Sequence, residues 1–211
     1  MNISKLWYNE RDVESSKLVD FMQRHSSIVT LLDVGCHASY SYAGKIRKQL
    51  PRMSDLKRYY GIDIIYDDVI DAVVDEYILD NVNTANIDFV PEAVVCISSL
   101  EHSGITTYTV PDYKEEQVRT FNTVYGLAYN FLFVSVPYGK EGIVPGQYAN
   151  ITSTQLDRFI SDKKNISIEF WYNPDPIHGG DWKQISREEA DKVELQPDTV
   201  TRCVCFIEAT K

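Results

Sequence analysis

Cysteine is scarce in this sequence and never closely paired: the four residues stand at 36, 96, 203 and 205, with no Cys-x-x-Cys spacing. That argues against a disulfide framework and against a structural zinc site. Cys203 and Cys205 would share one strand face, but no His or Cys cluster elsewhere would complete a ligand set, so no metal is expected. Long hydrophobic runs are also missing. None approaches the roughly 18 residues that span a bilayer, and the opening MNISKLWYNERDVESS lacks the apolar stretch and cleavage site of a signal peptide. A cytoplasmic protein with no membrane insertion is expected. Positive charge is in deficit, with 21 Lys and Arg against 31 Asp and Glu and a formal net charge of −10. That balance disfavours nucleic acid, whose binding rests on neutralising phosphates, and leaves a small molecule, a sugar or a protein as the partner. Repeats, low-complexity tracts and Pro/Gly/Ser linkers are absent, so residues 1–211 are expected to form a single domain.

What is present is an alternation of β-rich and helix-period stretches. The strands read as 29–34, 58–64, 69–75, 93–98, 131–136, 166–172 and 201–209. Helical spacing appears in Val13, Leu18, Phe21 and Met22, in Tyr40, Ala43, Ile46 and Leu50, and in Val118, Phe121, Tyr125 and Ala128. Thr152-x-x-Gln155 and Ser186-x-x-Glu189 have the form of capping boxes, predicting helices through Ile160 and over 187–193. This alternation predicts an α/β protein with a parallel sheet and helical crossovers. The stretch 173–182, with two prolines and two adjacent glycines, reads as a plain excursion or a lid.

In such a sheet, ligands bind beyond the carboxyl ends of the strands, near the point where strand order reverses. Asp33-Val-Gly35 ends the first strand, where a glycine lets backbone approach a ligand and the next amides face polar groups. Asp63 ends the second strand, 28 residues beyond Gly35, placed to accept hydrogen bonds from a ribose diol. A further strand runs from Val90 and Glu92 into Leu100-Glu101-His102, and Ser135-Val-Pro-Tyr138-Gly-Lys140 follows the fifth.

Taken together, these segments resemble the class I S-adenosylmethionine-dependent methyltransferases that act on small molecules or glycans, over about residues 29–209. The resemblance implies a doubly wound, mostly parallel seven-stranded sheet with helices on both faces and the last strand antiparallel. It implies an N-terminal helical segment (1–28), a cofactor-binding half (29–136) and a substrate-side half (137–211) with a late loop at 173–200. S-adenosylmethionine would be the cofactor. Asp33, Gly35, Cys36 and His37 would form the methionine-side loop; Asp63 and Ile64 would hold the ribose side; and Ile97 and Ser98 would complete the wall. Asp75 matches the acid near the adenine amino group, with Asp80 five residues on as the competing choice. The family loop commonly reads Asp-x-Gly-x-Gly-x-Gly, whereas His37 and Ser39 stand at its second and third glycines.

Transfer to oxygen of a small-molecule or glycan acceptor is expected. His102, beside Glu101, is the candidate base, because a histidine titrates near neutral pH and an alcohol acceptor benefits from losing its proton. The alternative is that Glu101 and His102 only cap the following turn. Tyr138, Lys140, His178 and Trp182 are candidate substrate contacts. Two rival readings remain open: a methyltransferase-fold domain that binds or assembles without catalysis, and a nicotinamide-dependent oxidoreductase, which His37 and Tyr40 disfavour by breaking the dinucleotide fingerprint.

Overall fold

The computed structural model describes residues 10–37, 50, 55–105, 112–144, 147–196 and 200–211. The predicted helix at 39–50, Ser39 included, lies outside the described residues except for Leu50. In chain order the elements are α1 (Glu10–Arg24), β1 (Thr30–Val34), β2 (Arg58–Asp63), α2 (Asp68–Asp71), β3 (Glu76–Leu79), β4 (Ala93–Ile97), a 3-10 turn (Leu100–His102), α3 (Tyr113–Leu127) and β5 (Phe131–Pro137). There follow β6 (Ile143–Val144), β7 (Tyr148–Ala149), α4 (Ser153–Ile160), β8 (Ile166–Tyr172), β9 (Lys183–Ile185), α5 (Arg187–Ala190) and β10 (Cys203–Thr210).

Eight strands form one sheet in the order β3-β2-β1-β4-β5-β10-β8-β9. Strands β1 to β5 pair in parallel, and β10 runs antiparallel to both β5 and β8, as expected for the last strand. Strand order reverses between β1 and β4, which makes their carboxyl ends the place for a ligand.

Both faces of the sheet are covered, and the period-two alternation of strand side chains sorts the core. Leu31, Val95, Phe133 and Phe206 meet Val13, Leu18, Phe21 and Met22 of α1 on one face. Their neighbours Leu32, Val94, Val134 and Ile207 meet Val118, Phe121 and Val124 of α3 and Leu156 and Phe159 of α4 on the other. All five residues of β4 are buried, the pattern of a central strand covered on both sides. All four cysteines are buried free thiols. No helix among the described residues is long and apolar enough to cross a membrane.

Three departures from the sequence reading have physical causes. The stretch 69–75 is not a strand. The Asp67 side chain accepts from the amides of Val69 and Ile70, an N-cap that starts the short helix α2, and β3 begins only at Glu76. An eighth strand, β9, pairs antiparallel with β8 through Phe170 and Ile185 inside what the sequence reads as loop 173–200. Finally, α5 stops at Ala190 rather than reaching 193. Both capping boxes form as the sequence predicts.

Candidate active site

The exits of β1, β2 and β4 meet at the switch point. Gly35 takes φ +70, a conformation glycine reaches without strain, and its amide donates to the Ile62 carbonyl at 2.8 Å. A Cβ there would stand 2.0 Å from Ser99 Oγ, so the turn after β1 is pressed against the exit of β4. Ser99 Oγ donates to the Gly35 carbonyl at 3.0 Å. Beneath the turn, Asp33 is wholly buried and accepts from the Tyr59 hydroxyl at 2.9 Å, holding β1 to β2. Cys36 is buried against Gly61, where a Cβ would meet its Sγ at 2.9 Å.

Asp63 ends β2 with its carboxylate between two backbone amides: His37 donates to Oδ2 and Ile65 to Oδ1, each at 2.9 Å. The residue standing at a family glycine therefore still presents its amide to the site. The His37 ring turns to the α2 cap, with Nδ1 3.5 Å from Asp67 Oδ2. Ile64 is 69% exposed and Leu79, the register partner of Asp63 on β3, is 58% exposed.

Asp75 is not at this edge. Its Oδ2 accepts from the Tyr59 amide at 2.8 Å and its own amide donates to the Tyr59 carbonyl, at the amino-terminal end of β2. The acid at the carboxyl end is Asp80, whose amide donates to the Asp63 carbonyl at 3.0 Å. The Asp67 cap causes the shift, because it delays β3 and moves every later residue along the sheet.

On the other side of the switch point, Ser98 follows Ile97 with φ +44, and its amide donates to the Ser135 carbonyl. The Ser98 hydroxyl donates to Glu14 Oε1 at 2.5 Å and the Ser135 hydroxyl donates to the same oxygen at 2.7 Å. Arg11 donates to the second Glu14 oxygen at 2.8 Å. The first turn of α1 thus reaches down onto the exits of β4 and β5. The sequence offers no signal for this contact, since Glu14 reads there as one more charge on an amphipathic helix.

Glu101 and His102 lie in the 3-10 turn that follows. The turn is held from below: Gln155 Nε2 donates to Gln117 Oε1 at 2.6 Å, and Gln117 Nε2 donates to the Glu101 carbonyl at 2.9 Å. Gln155 is the N3 residue of the first capping box, so a helix start legible in the sequence also supports the site. His102 Nδ1 lies 2.5 Å from the Gln147 carbonyl oxygen, between β6 and β7. A ring nitrogen that close to a carbonyl carries the proton, which leaves Nε2 with the lone pair when the ring is neutral. Burial pulls the His102 pKa down, only partly offset by the Gln147 contact, and this favours the neutral ring.

The Glu101 side chain is only 3% exposed, and burial pushes its carboxyl up to about 8, against the opposing effect of Arg11 and with further upward contributions from Glu14 and Glu10. The folded protein therefore holds this proton more tightly than the unfolded chain, whose carboxyl titrates near 4.5. The stabilisation is complete below that value and is lost as pH rises towards about 8. Urea midpoints measured at about pH 5 and about pH 9 are expected to fall between the two, and Glu101→Gln to remove about one proton's share of that slope.

The substrate candidates on the far half do not join this cluster. Tyr138 is 1% exposed, with its ring 4.8 Å from Phe170 and its hydroxyl donating to Asp191 at 2.5 Å, so it is a core residue with no face for a sugar. Lys140 pairs with Glu194 at 2.6 Å. His178, with a 76% exposed side chain, meets Asp175 at 2.7 Å. Trp182 packs half-buried beside the α1 face of the sheet. The loop carrying these last two is tied by Asn173, which accepts from the Asp175 amide and donates to the Gly180 carbonyl, as an ordered excursion leading into β9.

The residues fit a nucleoside carrying a sulfonium side chain. A strand-end carboxylate suits a ribose diol, exposed Ile64 and Leu79 beside it suit the flat apolar base, and Asp80 stands at the next strand end for a polar edge. The chain has the fold of the class I S-adenosylmethionine-dependent methyltransferases. No family model and no curated protein sequence matches it. Among solved structures it is similar to magnesium protoporphyrin IX methyltransferase from Synechocystis PCC 6803 with bound S-adenosylhomocysteine (TM-score 0.57, 13% identity, 95% of this chain and 83% of that one). It is similar to the N-methyltransferase NodS from Bradyrhizobium japonicum WM9 (0.57, 10%, 95% and 97%). A third is CalS10, an amino pentose methyltransferase from Micromonospora echinaspora (0.53, 10%, 93% and 90%).

Proposed function

We propose that this protein is a methyltransferase that takes a methyl group from S-adenosylmethionine and places it on a small-molecule or glycan acceptor. The observation that carries the reading is Asp63, held at the carboxyl end of β2 between the amides of His37 and Ile65 and flanked by exposed Ile64 and Leu79. When bound, S-adenosylmethionine supplies an electrophilic methyl group on a cationic sulfur. The protein's own tasks are to bind it, to align the acceptor and to exclude water.

Asp63 would hold the ribose hydroxyls, Asp80 the edge of the adenine, and the backbone at Gly35, Cys36, Ile97 and Ser98 the remaining walls. His102 Nε2, left with its lone pair in the neutral ring by the Gln147 contact at Nδ1, would accept a proton from the acceptor. The net charge of −10 favours a small molecule over nucleic acid. A binding module without catalysis is the second reading, carried by the His37 amide already seated on Asp63.

Calorimetric titration with S-adenosylhomocysteine tests the proposal directly. Binding is expected, and Asp63→Ala should weaken it by about 1.5–3 kcal/mol, roughly ten-fold to more than a hundred-fold, as hydrogen bonds to a charged group are lost. No heat from a folded sample would exclude the methyltransferase reading. Unchanged affinity in Asp63→Ala would mean the ribose lies elsewhere. Binding without transfer to any acceptor class would favour the second reading.

A further inference from the structure

Helices α3 and α4 meet through two pairs of side chains set one turn apart. Phe121 and Phe159 stack with ring centroids 4.5 Å apart and planes within 6° of parallel, and one turn earlier on each helix stand Gln117 and Gln155. Both glutamines are buried in an interface otherwise built from Val118, Phe121, Leu156 and Phe159. Apolar residues of the same size would suit that place, because replacing both partners of a buried hydrogen bond by apolar groups is close to neutral for stability. What the glutamines add is direction.

The Thr152 amide donates to Gln155 Oε1 at 3.2 Å, Gln155 Nε2 donates to Gln117 Oε1 at 2.6 Å, and Gln117 Nε2 donates to the Glu101 carbonyl at 2.9 Å. A backbone donor at one end and a backbone acceptor at the other leave each carboxamide a single orientation. The chain ends on the residue before His102. A second hold acts on the ring itself, where Nδ1 meets the Gln147 carbonyl. Gln147 donates its amide to the Val144 carbonyl at 3.0 Å, and Asn150 ties the base of this hairpin through the Gly142 and Lys140 carbonyls. Both holds therefore start from one stretch, residues 143–155.

Resting on the reading of His102 as the proton acceptor of a methyl-transfer centre, we infer that Gln117 is its positioning residue. By donating to the Glu101 carbonyl it sets the 3-10 turn so that Nδ1 meets the Gln147 carbonyl and Nε2 keeps the lone pair. Strand β4 supplies the histidine, and the segment after β5 aims it. Without that donor the Glu101 carbonyl becomes a buried acceptor with no side-chain partner, and the turn has to shift to bring it to water. The ring moves with the turn, and either nitrogen can then carry the proton. Glu101 in the turn, Arg11 of α1 and Asp63 of β2 are the charged groups acting on the ring, but the tautomer is decided at Nδ1.

The test reads the His102 tautomer by long-range proton–nitrogen NMR on the full chain at about pH 7.5, where a ring held below its ordinary 6.5 is neutral. The ring is assigned by comparison with His102→Gln. The unsubstituted protein is expected to hold the Nδ1–H form, and Gln117→Met to lower the ratio of the two tautomers about ten-fold or more. Val124→Ala, two turns along the same buried helix face, controls for lost stability and should leave the ratio unchanged. Gln155→Met frees Gln117 to turn and should lower the ratio too, which keeps the test open if Gln117→Met fails to fold. A mixture of tautomers in the unsubstituted chain overturns the inference without any variant. So does a ratio that stays put in the glutamine variants, or one that falls equally in Val124→Ala. S-adenosylhomocysteine affinity, measured in parallel, should stay within about two-fold in Gln117→Met. No binding to the unsubstituted chain removes the methyl-transfer reading, whereas binding with an unmoved tautomer removes only the role of Gln117.

Discussion

Glu14→Ala is expected to destabilise the folded protein by about 3–5 kcal/mol, the range for removing one partner from a buried, hydrogen-bonded ion pair. Glu14 is buried, and its two oxygens accept from Ser98, Ser135 and Arg11. Alanine leaves two interior hydroxyls without their acceptor and a guanidinium without this carboxylate. Arg11 has 23% of its side chain exposed and reaches water, which draws the effect towards the lower end of the range. Glu14→Gln keeps one acceptor oxygen and nearly the same shape, so it should lose roughly 1–2 kcal/mol. Urea unfolding of the three proteins measures both differences. A loss below about 1 kcal/mol in the alanine variant would show that the serines find other acceptors. The two variants should also bind S-adenosylhomocysteine more weakly if the Ser98 backbone, held at φ +44, forms the cofactor wall proposed for it.

Gly35→Ala is the second large effect. Two independent penalties combine at this residue. The positive φ is unfavourable for alanine by about 1–2 kcal/mol, and the new Cβ would fall 2.0 Å from Ser99 Oγ and 2.2 Å from Ser99 Cβ. Serine is short and its Cβ is fixed by the backbone, so the strands rather than a side chain must give, at about 1–3 kcal/mol. A loss of about 2–5 kcal/mol is expected, with at least a ten-fold fall in S-adenosylhomocysteine affinity as the turn lifts away from Asp63. Gly35→Ala combined with Ser99→Gly separates the two causes. The double variant should regain the steric part in thermal unfolding and keep the conformational part. Full recovery would show that φ contributes nothing, and no recovery that the contact with Ser99 was absorbed elsewhere.

Much of the cluster at the strand exits was legible in the sequence because it is written in local terms. Gly35 and Asp63 each end a strand that reads as one, and their order along the chain carries the topology. Asp75 shows how that reading fails. The run Val69, Ile70, Val73 and Val74 is apolar at both strand and helix spacings, and the Asp67 side chain decides for the helix by satisfying two amides. One cap thus moves the acid at the carboxyl end of β3 from Asp75 to Asp80.

Other features escaped because their partners are distant along the chain. Glu14 meets Ser98 and Ser135 across 84 and 121 residues, and no periodicity marks such a pair. Tyr138 follows the fifth strand like a substrate contact, and only the packing of Phe170 and the position of Asp191 reveal it as core. Lys183-Gln184-Ile185 has too little apolar alternation to announce a strand. It becomes one because β8 offers it an open ladder.

That small strand bears on how the chain behaves in concentrated solution. Without β9, the segment Ile166–Tyr172, rich in aromatic and β-branched residues, would present its unpaired amides and carbonyls as a template for other chains. Three residues, of which Lys183 and Gln184 are polar and Ile185 apolar, cover part of that ladder, and Asn173 ties the preceding loop that leads into them. Resistance to aggregation at this end of the sheet therefore rests on a loop anchor rather than on the core.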